Sequence, residues 1–205
     1  MSLPPDRTIV RNEPRVASQG DSRLFVEELF ERHHSEIYGF LVRMLRDSEL
    51  AADLAQDTFV RAFRAIDTLE DRDRARAWLY QIANRTALDE LRRRRIIRFQ
   101  PFTGDPGETA RHTAPSAEHE VMELRLSAPL ERALLRIPER QRSALLLAEL
   151  GEQTGVELAA TLGISHVAVR ALLTRARESL RRALAEEEAA EAERTGSRPH
   201  RGGAR

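Results

Sequence analysis

Apolar positions fall at steps of three and four along most of this chain, the period of helices that bury one face. Phe25, Leu29, Phe30, Ile37, Phe40, Leu41, Met44 and Leu45 set the first such stripe. Asp47-Ser48 interrupts it and offers a cap for a second helix. That helix puts Leu50, Leu54, Thr58, Ala62 and Ile66 on one line, with Ala55, Phe59 and Phe63 beside it. The polar run DTLEDRDR at 67–74 predicts a loop. A third helix starts near Ala75, carries Trp78, Leu79, Ile82, Thr86 and Leu91 inward, and ends among arginines.

The period then lapses. Residues 100–117, QPFTGDPGETARHTAPSA, are rich in Pro, Gly and Thr and hold no core stripe, which predicts a flexible linker reaching to about 124. A second helical block follows. LLRIPERQRSALLLAEL places Pro138 at a helix start, with Ala144, Leu145 and Leu147 inward. In GVELAATLGISHVAVRALLTRARESLRRAL, Val156, Leu158, Ala159 and Leu162 predict a short helix, Gly163 a left-handed turn and Ser165 the next cap. The last helix is expected to bury Val167, Val169, Leu172, Leu173, Ala176 and Leu180. No strand-like alternation is long enough to predict a sheet. The expected fold class is all-α: two small helical domains, 21–99 and 125–187, joined by a flexible linker at 100–124. The second is a helix-turn-helix. Polar tails at 1–20 and 188–205 are expected to be disordered.

Charge adds a second pattern. The chain is formally neutral, with 33 basic and 33 acidic residues. Yet Leu24 to Val60 holds eight acids against three arginines, and Arg61 to Arg98 eleven arginines against six acids. That asymmetry fits two different partners better than a uniformly solvated surface. On the last helix Arg170, Thr174, Arg175, Arg177, Arg181 and Arg182 lie outward, opposed only by Glu178. A helix-turn-helix with such a face reads as DNA-binding; an αα-hairpin with a solvated basic face is the plainer alternative.

Composition also excludes chemistry. Cysteine is absent, which removes disulfides, thiolate nucleophiles and sulfur-ligated metals. There is no Walker lysine, no HExxH and no Gly-rich phosphate loop. His33, His34 and Glu36 share a helix, but adjacent side chains diverge by about 100° and no third ligand is evident. No cofactor, metal or enzymatic activity is expected. MSLPPDRTIVRNEPRV lacks the apolar segment of a signal peptide, and no run approaches the roughly 20 apolar residues of a membrane span. The expected location is the cytoplasm.

Four phrases carry a family resemblance: ELAADLAQDTFVRAFRAI, RARAWLYQIANRTALDELRRRR, LLRIPERQRSALLLAEL and ELAATLGISHVAVRALLTRARESLRRAL. In this order and spacing, over about Phe25 to Leu184, the chain resembles a bacterial RNA polymerase sigma factor of the extracytoplasmic-function (ECF) subfamily. The resemblance implies a factor that binds core RNA polymerase, recognises −10 and −35 promoter elements, aids melting and answers to an anti-sigma factor. It implies that Asp53, Gln56 and Asp57 dock on the polymerase clamp helices; their spacing puts them on one helix face. It assigns −10 DNA to Arg72, Arg74, Arg76, Trp78, Asn84 and Arg85, with Arg92, Arg93, Arg94 and Arg95 on phosphates. It assigns −35 DNA to Ser165, Arg170, Thr174, Arg175 and Arg177. Two features depart from the family: the order Asn84-Arg85, where Arg then Asn is usual, and Ala168, Ala171 and Leu172 in place of polar residues. The rival is a sigma-like interaction protein that binds an anti-sigma partner without directing transcription.

Overall fold

The structure is a computed structural model that describes residues 19–99 and 126–196. The linker and the outer parts of both tails lie outside the described residues. Within them the elements are α1 (Gln19–Leu45), α2 (Ser48–Ala65), α3 (Ala75–Phe99), α4 (Ala128–Arg136), α5 (Glu139–Glu149), α6 (Gly155–Leu162) and α7 (His166–Gly196), with no strand among them.

Helices α1, α2 and α3 pack pairwise around the first stripe. Ile37, Phe40, Leu41, Met44, Ala51, Ala55, Ala62 and Leu79 are fully buried, and the Phe40 and Tyr80 rings meet edge to face at 5.5 Å. Asp47 caps α2 as expected, its side chain accepting the Leu50 N–H at 3.0 Å. The 67–74 loop is held by two short 3-10 turns, the second capped by Asp71. Phe30 and Phe63, expected inward, are exposed. Each lies at the rim of its stripe, where a single layer of three helices leaves no neighbour to cover it. Phe30 rests instead against His34 and Phe59, with centroids at 4.6 and 5.0 Å.

The second block closes around Ala133, Leu134, Ile137, Leu145, Ala176 and Ala183, where α4 lies along α7. Gly163 ends α6 at φ 62° and ψ 39°, the left-handed cap that its residue type predicts. Ser165 caps α7, accepting the Ala168 N–H at 3.2 Å. Thr154 and Glu157 add a reciprocal capping box at the start of α6. Val156 and Val167, expected inward, point to solvent. Both sit in first turns, ahead of the point where their helices meet a neighbour.

One expectation about organisation changes, and one feature is added. The ordered second domain runs past 187, because α7 continues to Gly196. Its acids hold it to α4: Glu187 and Glu191 bind Arg132 at 2.7 and 2.9 Å, and Glu186 binds Arg136 at 2.6 Å. The two blocks also pack on each other. Leu146, Leu147, Leu158 and Val169 of the second join the apolar cluster of the first, with α5 and α6 against α3.

Candidate nucleic-acid interface

Three surfaces carry the chemistry that the sequence singles out. The first is the outer face of α2. Asp53 and Gln56 are exposed there, and Asp57 is half-buried with its carboxylate accepting Arg61 Nε at 2.8 Å. The buried stripe of Ala51, Ala55, Thr58, Phe59 and Ala62 forces these three outward. Val60 continues the same face as an exposed apolar residue. Among the described residues, no helix of the second block touches α2.

The second surface is α3 with the loop before it. Arg72 pairs with Asp21 at 3.2 Å and lies over the Phe25 ring, 4.3 Å from its centroid. Arg74 is exposed beside Asp71, and Arg85 is exposed. Trp78 is half-buried against the first core. Arg76 turns inward: it binds Glu36 at 2.8 Å and donates to the Gly151 and Leu150 carbonyls, each at 2.9 Å. Asn84 is 3% exposed, and its Oδ1 accepts Ser143 Oγ–H at 2.6 Å. The order Asn84-Arg85 therefore has a structural counterpart: the amide faces the second block and the guanidinium faces water.

The arginine run at the end of α3 is less bare than its sequence. Arg92 pairs with Asp89, Arg93 and Arg94 with Glu90, Arg94 also with Asp47, and Arg95 with Glu139. Arg92, Arg93 and Arg95 are well exposed, and water and salt screen surface pairs of that kind, so phosphate can displace them. Arg94 differs, since it ties the α2 cap residue Asp47 (2.8 Å) to Glu90 (3.0 Å). Its first task is to hold the domain.

Glu90 is the group sequence reasoning missed. Hydrogen bonds from Arg93, together with those from Arg94, hold its carboxyl below the ordinary value of 4.5. A depressed carboxylate pKa gives stability that is full above about 4.5 and lost as pH falls through the folded value. Glu90→Gln is expected to lower stability at pH 7 by about 1–2 kcal/mol. Urea denaturation should show that gap narrowing as pH falls below about 4.5, and a constant gap would refute the charge-based account.

The third surface is the start of α7. Val167, Arg170, Ala171 and Thr174 follow the i, i+3, i+4, i+7 rule and form one outward stripe, flanked by exposed Arg175 and Arg177. Val167 is 76% exposed, the most open large apolar side chain among the described residues. Thr174 Oγ–H is spent on the Arg170 carbonyl at 3.0 Å, and Arg175 Nε donates to the Ala171 carbonyl at 3.2 Å. Arg170 is left as the long basic side chain at the centre of the stripe.

A three-helix block with an acidic edge, joined to a helix-turn-helix with a basic one, has a match on both halves. The sigma-70 region 2 family model covers residues 29–96, and the sigma-70 region 4 model covers 127–180. The chain belongs to the ECF sigma factors. It is 32% identical to the RNA polymerase sigma factor YlaC of Bacillus subtilis over 77% of this chain and 90% of that one. Identity to the ECF RNA polymerase sigma factor SigW of Bacillus subtilis is 26%, over 86% of this chain and 97% of the relative. Among solved structures, CnrH in complex with the cytosolic domain of CnrY is 28% identical, with a TM-score of 0.57 over 83% of this chain and 93% of that one. This sigma factor directs RNA polymerase to promoters, and its two matched regions coincide with the two helical blocks.

Proposed function

We propose that region 2 docks on core polymerase through Asp53, Gln56 and Asp57 and holds the −10 element along α3, while α7 reads the −35 element. The observation that carries this reading is the separation of charge onto opposite elements: an outward acidic face on α2 and outward basic faces on α3 and α7. Acidic and amide groups suit arginines of a protein partner, and arginines suit a polyanion. No catalytic step is assigned to the chain. No single helix among the described residues is long and apolar enough to cross a membrane. A factor working on polymerase acts in the cytoplasm. The complex between CnrH and a cytosolic domain supports a protein inhibitor, of the anti-sigma class, as a further partner.

Run-off transcription with purified core polymerase and genomic DNA tests the reading. Promoter-specific transcripts are expected. Polymerase binding without transcripts would select the sigma-like interaction protein instead.

The α7 stripe makes a finer expectation about the −35 element. With Ala171 beside it, Val167 offers an apolar contact where a thymine methyl group projects into the major groove. Once run-off mapping defines the element, each thymine there can be replaced by uracil, which removes only the methyl. One such replacement should weaken binding about three- to fourfold, the worth of one buried methyl-sized group. Val167→Ala should lose that sensitivity. Equal binding of every uracil-substituted site would show that Val167 reads nothing.

A further inference from the structure

The region 4 match ends at residue 180, but α7 continues to Gly196. Its charge reverses on the way. Arg170, Arg175, Arg177, Arg181 and Arg182 come before Ala183, with Glu178 the exception. Glu186, Glu187, Glu188, Glu191 and Glu193 come after it, with Arg194 the exception. Three of these acids are spent on α4. Glu187 accepts Arg132 at 2.7 Å with one carboxylate oxygen and Arg136 at 3.1 Å with the other. Glu191 accepts a second N–H of Arg132 at 2.9 Å, and Glu186 a second of Arg136 at 2.6 Å.

The arginines need such partners. Arg132 and Arg136 stand at i and i+4 on a helix of nine residues. Like charges at that spacing repel, and they do so on a helix too short to be stable alone. An anion across the pair removes the repulsion. Side chains four apart on a helix start about 5–6 Å from one another, so one bridging group can reach both guanidiniums, as Glu187 does. The guanidinium fork fits phosphate oxygens as well as carboxylate oxygens. Hydrogen bonds from Arg132, together with those from Arg136, hold the Glu187 carboxyl below its ordinary value of 4.5, so it is an anion at neutral pH. The pair also lies apart from the outward stripe at the start of α7: Glu187 is about 30 Å farther along the helix than Val167, at 1.5 Å per residue.

We propose that Arg132 and Arg136 form a second phosphate-binding site for duplex DNA on region 4, and that the acidic end of α7 keeps it filled. The carboxylates stand in for phosphates, so DNA meets region 4 only at the start of α7. Sequences other than promoters are thereby denied a contact that carries no sequence information. The inference is independent of the −10 and −35 assignments, since it uses neither α3 nor the α7 stripe.

Glu186→Gln, Glu187→Gln and Glu191→Gln together remove the charge from the site with little change in side-chain size. The full-length chain is titrated with a duplex of scrambled sequence, by fluorescence anisotropy across a salt series. The triple variant should bind at least about fivefold tighter at about 0.1 M salt, with a salt slope steeper by up to about 0.9 for each arginine released. In a chain that also carries Arg132→Gln and Arg136→Gln, that gain should vanish. Those two arginine changes alone should alter neither affinity nor slope, because the unsubstituted chain already hides the pair. Hydrogen exchange across 128–136 checks that α4 stays folded. If the triple variant loses α4, Glu187→Gln alone decides, since it leaves Glu186 and Glu191 in place; it should give a smaller gain of the same sign.

A gain that persists without the arginines would overturn the site, because lost repulsion from the acids would then explain it. Unchanged binding across the series would reduce the acids to a brace for α4. Weaker binding by the chain carrying only the two arginine changes would show that the pair is already open to DNA, and that the acids do not mask it.

Discussion

Asp53→Arg combined with Asp57→Arg is expected to abolish co-purification with core RNA polymerase while leaving the helical fold intact. Both carboxylates point away from the buried stripe of α2, so neither substitution enters the core. Within the chain the double change breaks the exposed pair between Asp57 and Arg61, worth about 0.3–0.5 kcal/mol at i,i+4 spacing. Against a basic partner surface, two reversed charges exchange attraction for like-charge juxtaposition, which costs several kcal/mol. Affinity should fall more than about a hundredfold. Gln56→Ala, which removes an amide without reversing charge, should cost far less. Fluorescence titration with core polymerase measures the loss, and circular dichroism checks the fold. Unchanged co-purification by the double variant would remove α2 from the docking surface. Among the described residues α2 touches no helix of region 4, so the variant should leave the packing between the two blocks unaltered.

What the sequence disclosed follows from what each residue type can do locally. Asp47, Gly163 and Ser165 mark helix ends because each satisfies orphan backbone groups through its own chemistry, and all three sit where that chemistry predicts. The stripe of Ala51, Ala55, Thr58 and Ala62 is legible because a helix with one partner face must repeat near 3.6 residues. Val167 and Phe63 mislead for the same reason. Periodicity tells which residues share a face, but not whether a neighbour reaches that turn of the helix. Long-range partners are illegible altogether. Nothing in the residues near Asn84 points to Ser143, 59 positions later, and nothing near Arg132 points to Glu187 and Glu191. The acidic end of α7 reads as low complexity, and only pairing with α4 gives it a place. The arginine run reads as free charge, although Asp89 and Glu90 on the same helix answer part of it, and Asp47 and Glu139 answer Arg94 and Arg95 from elsewhere in the chain.

Those pairings sharpen the expected contrast between the two arginine groups. Arg92, Arg93 and Arg95 are exposed and radiate around α3, so they cannot share one base edge; each is expected to neutralise a phosphate. Replacing the three with Gln should weaken holoenzyme binding to all DNA sequences alike. The salt slope should fall by about 0.7–0.9 for each phosphate no longer neutralised. Arg94 belongs apart, because its bonds to Asp47 and Glu90 make Arg94→Gln a stability change first. Arg170 sits in the second turn of α7, at the centre of the stripe where base edges are within reach, with Val167 and Ala171 on either side. Arg170→Ala should cost about 1–3 kcal/mol at a matched −35 site, and little at a scrambled one. Competition binding of holoenzyme to the two sites across a salt series separates the cases. A uniform loss with a shallower slope identifies a phosphate contact, and a loss confined to the matched site identifies a reader. Equal weakening of both sites by Arg170→Ala would make Arg170 one more phosphate contact. Promoter choice would then be expected to rest on region 2.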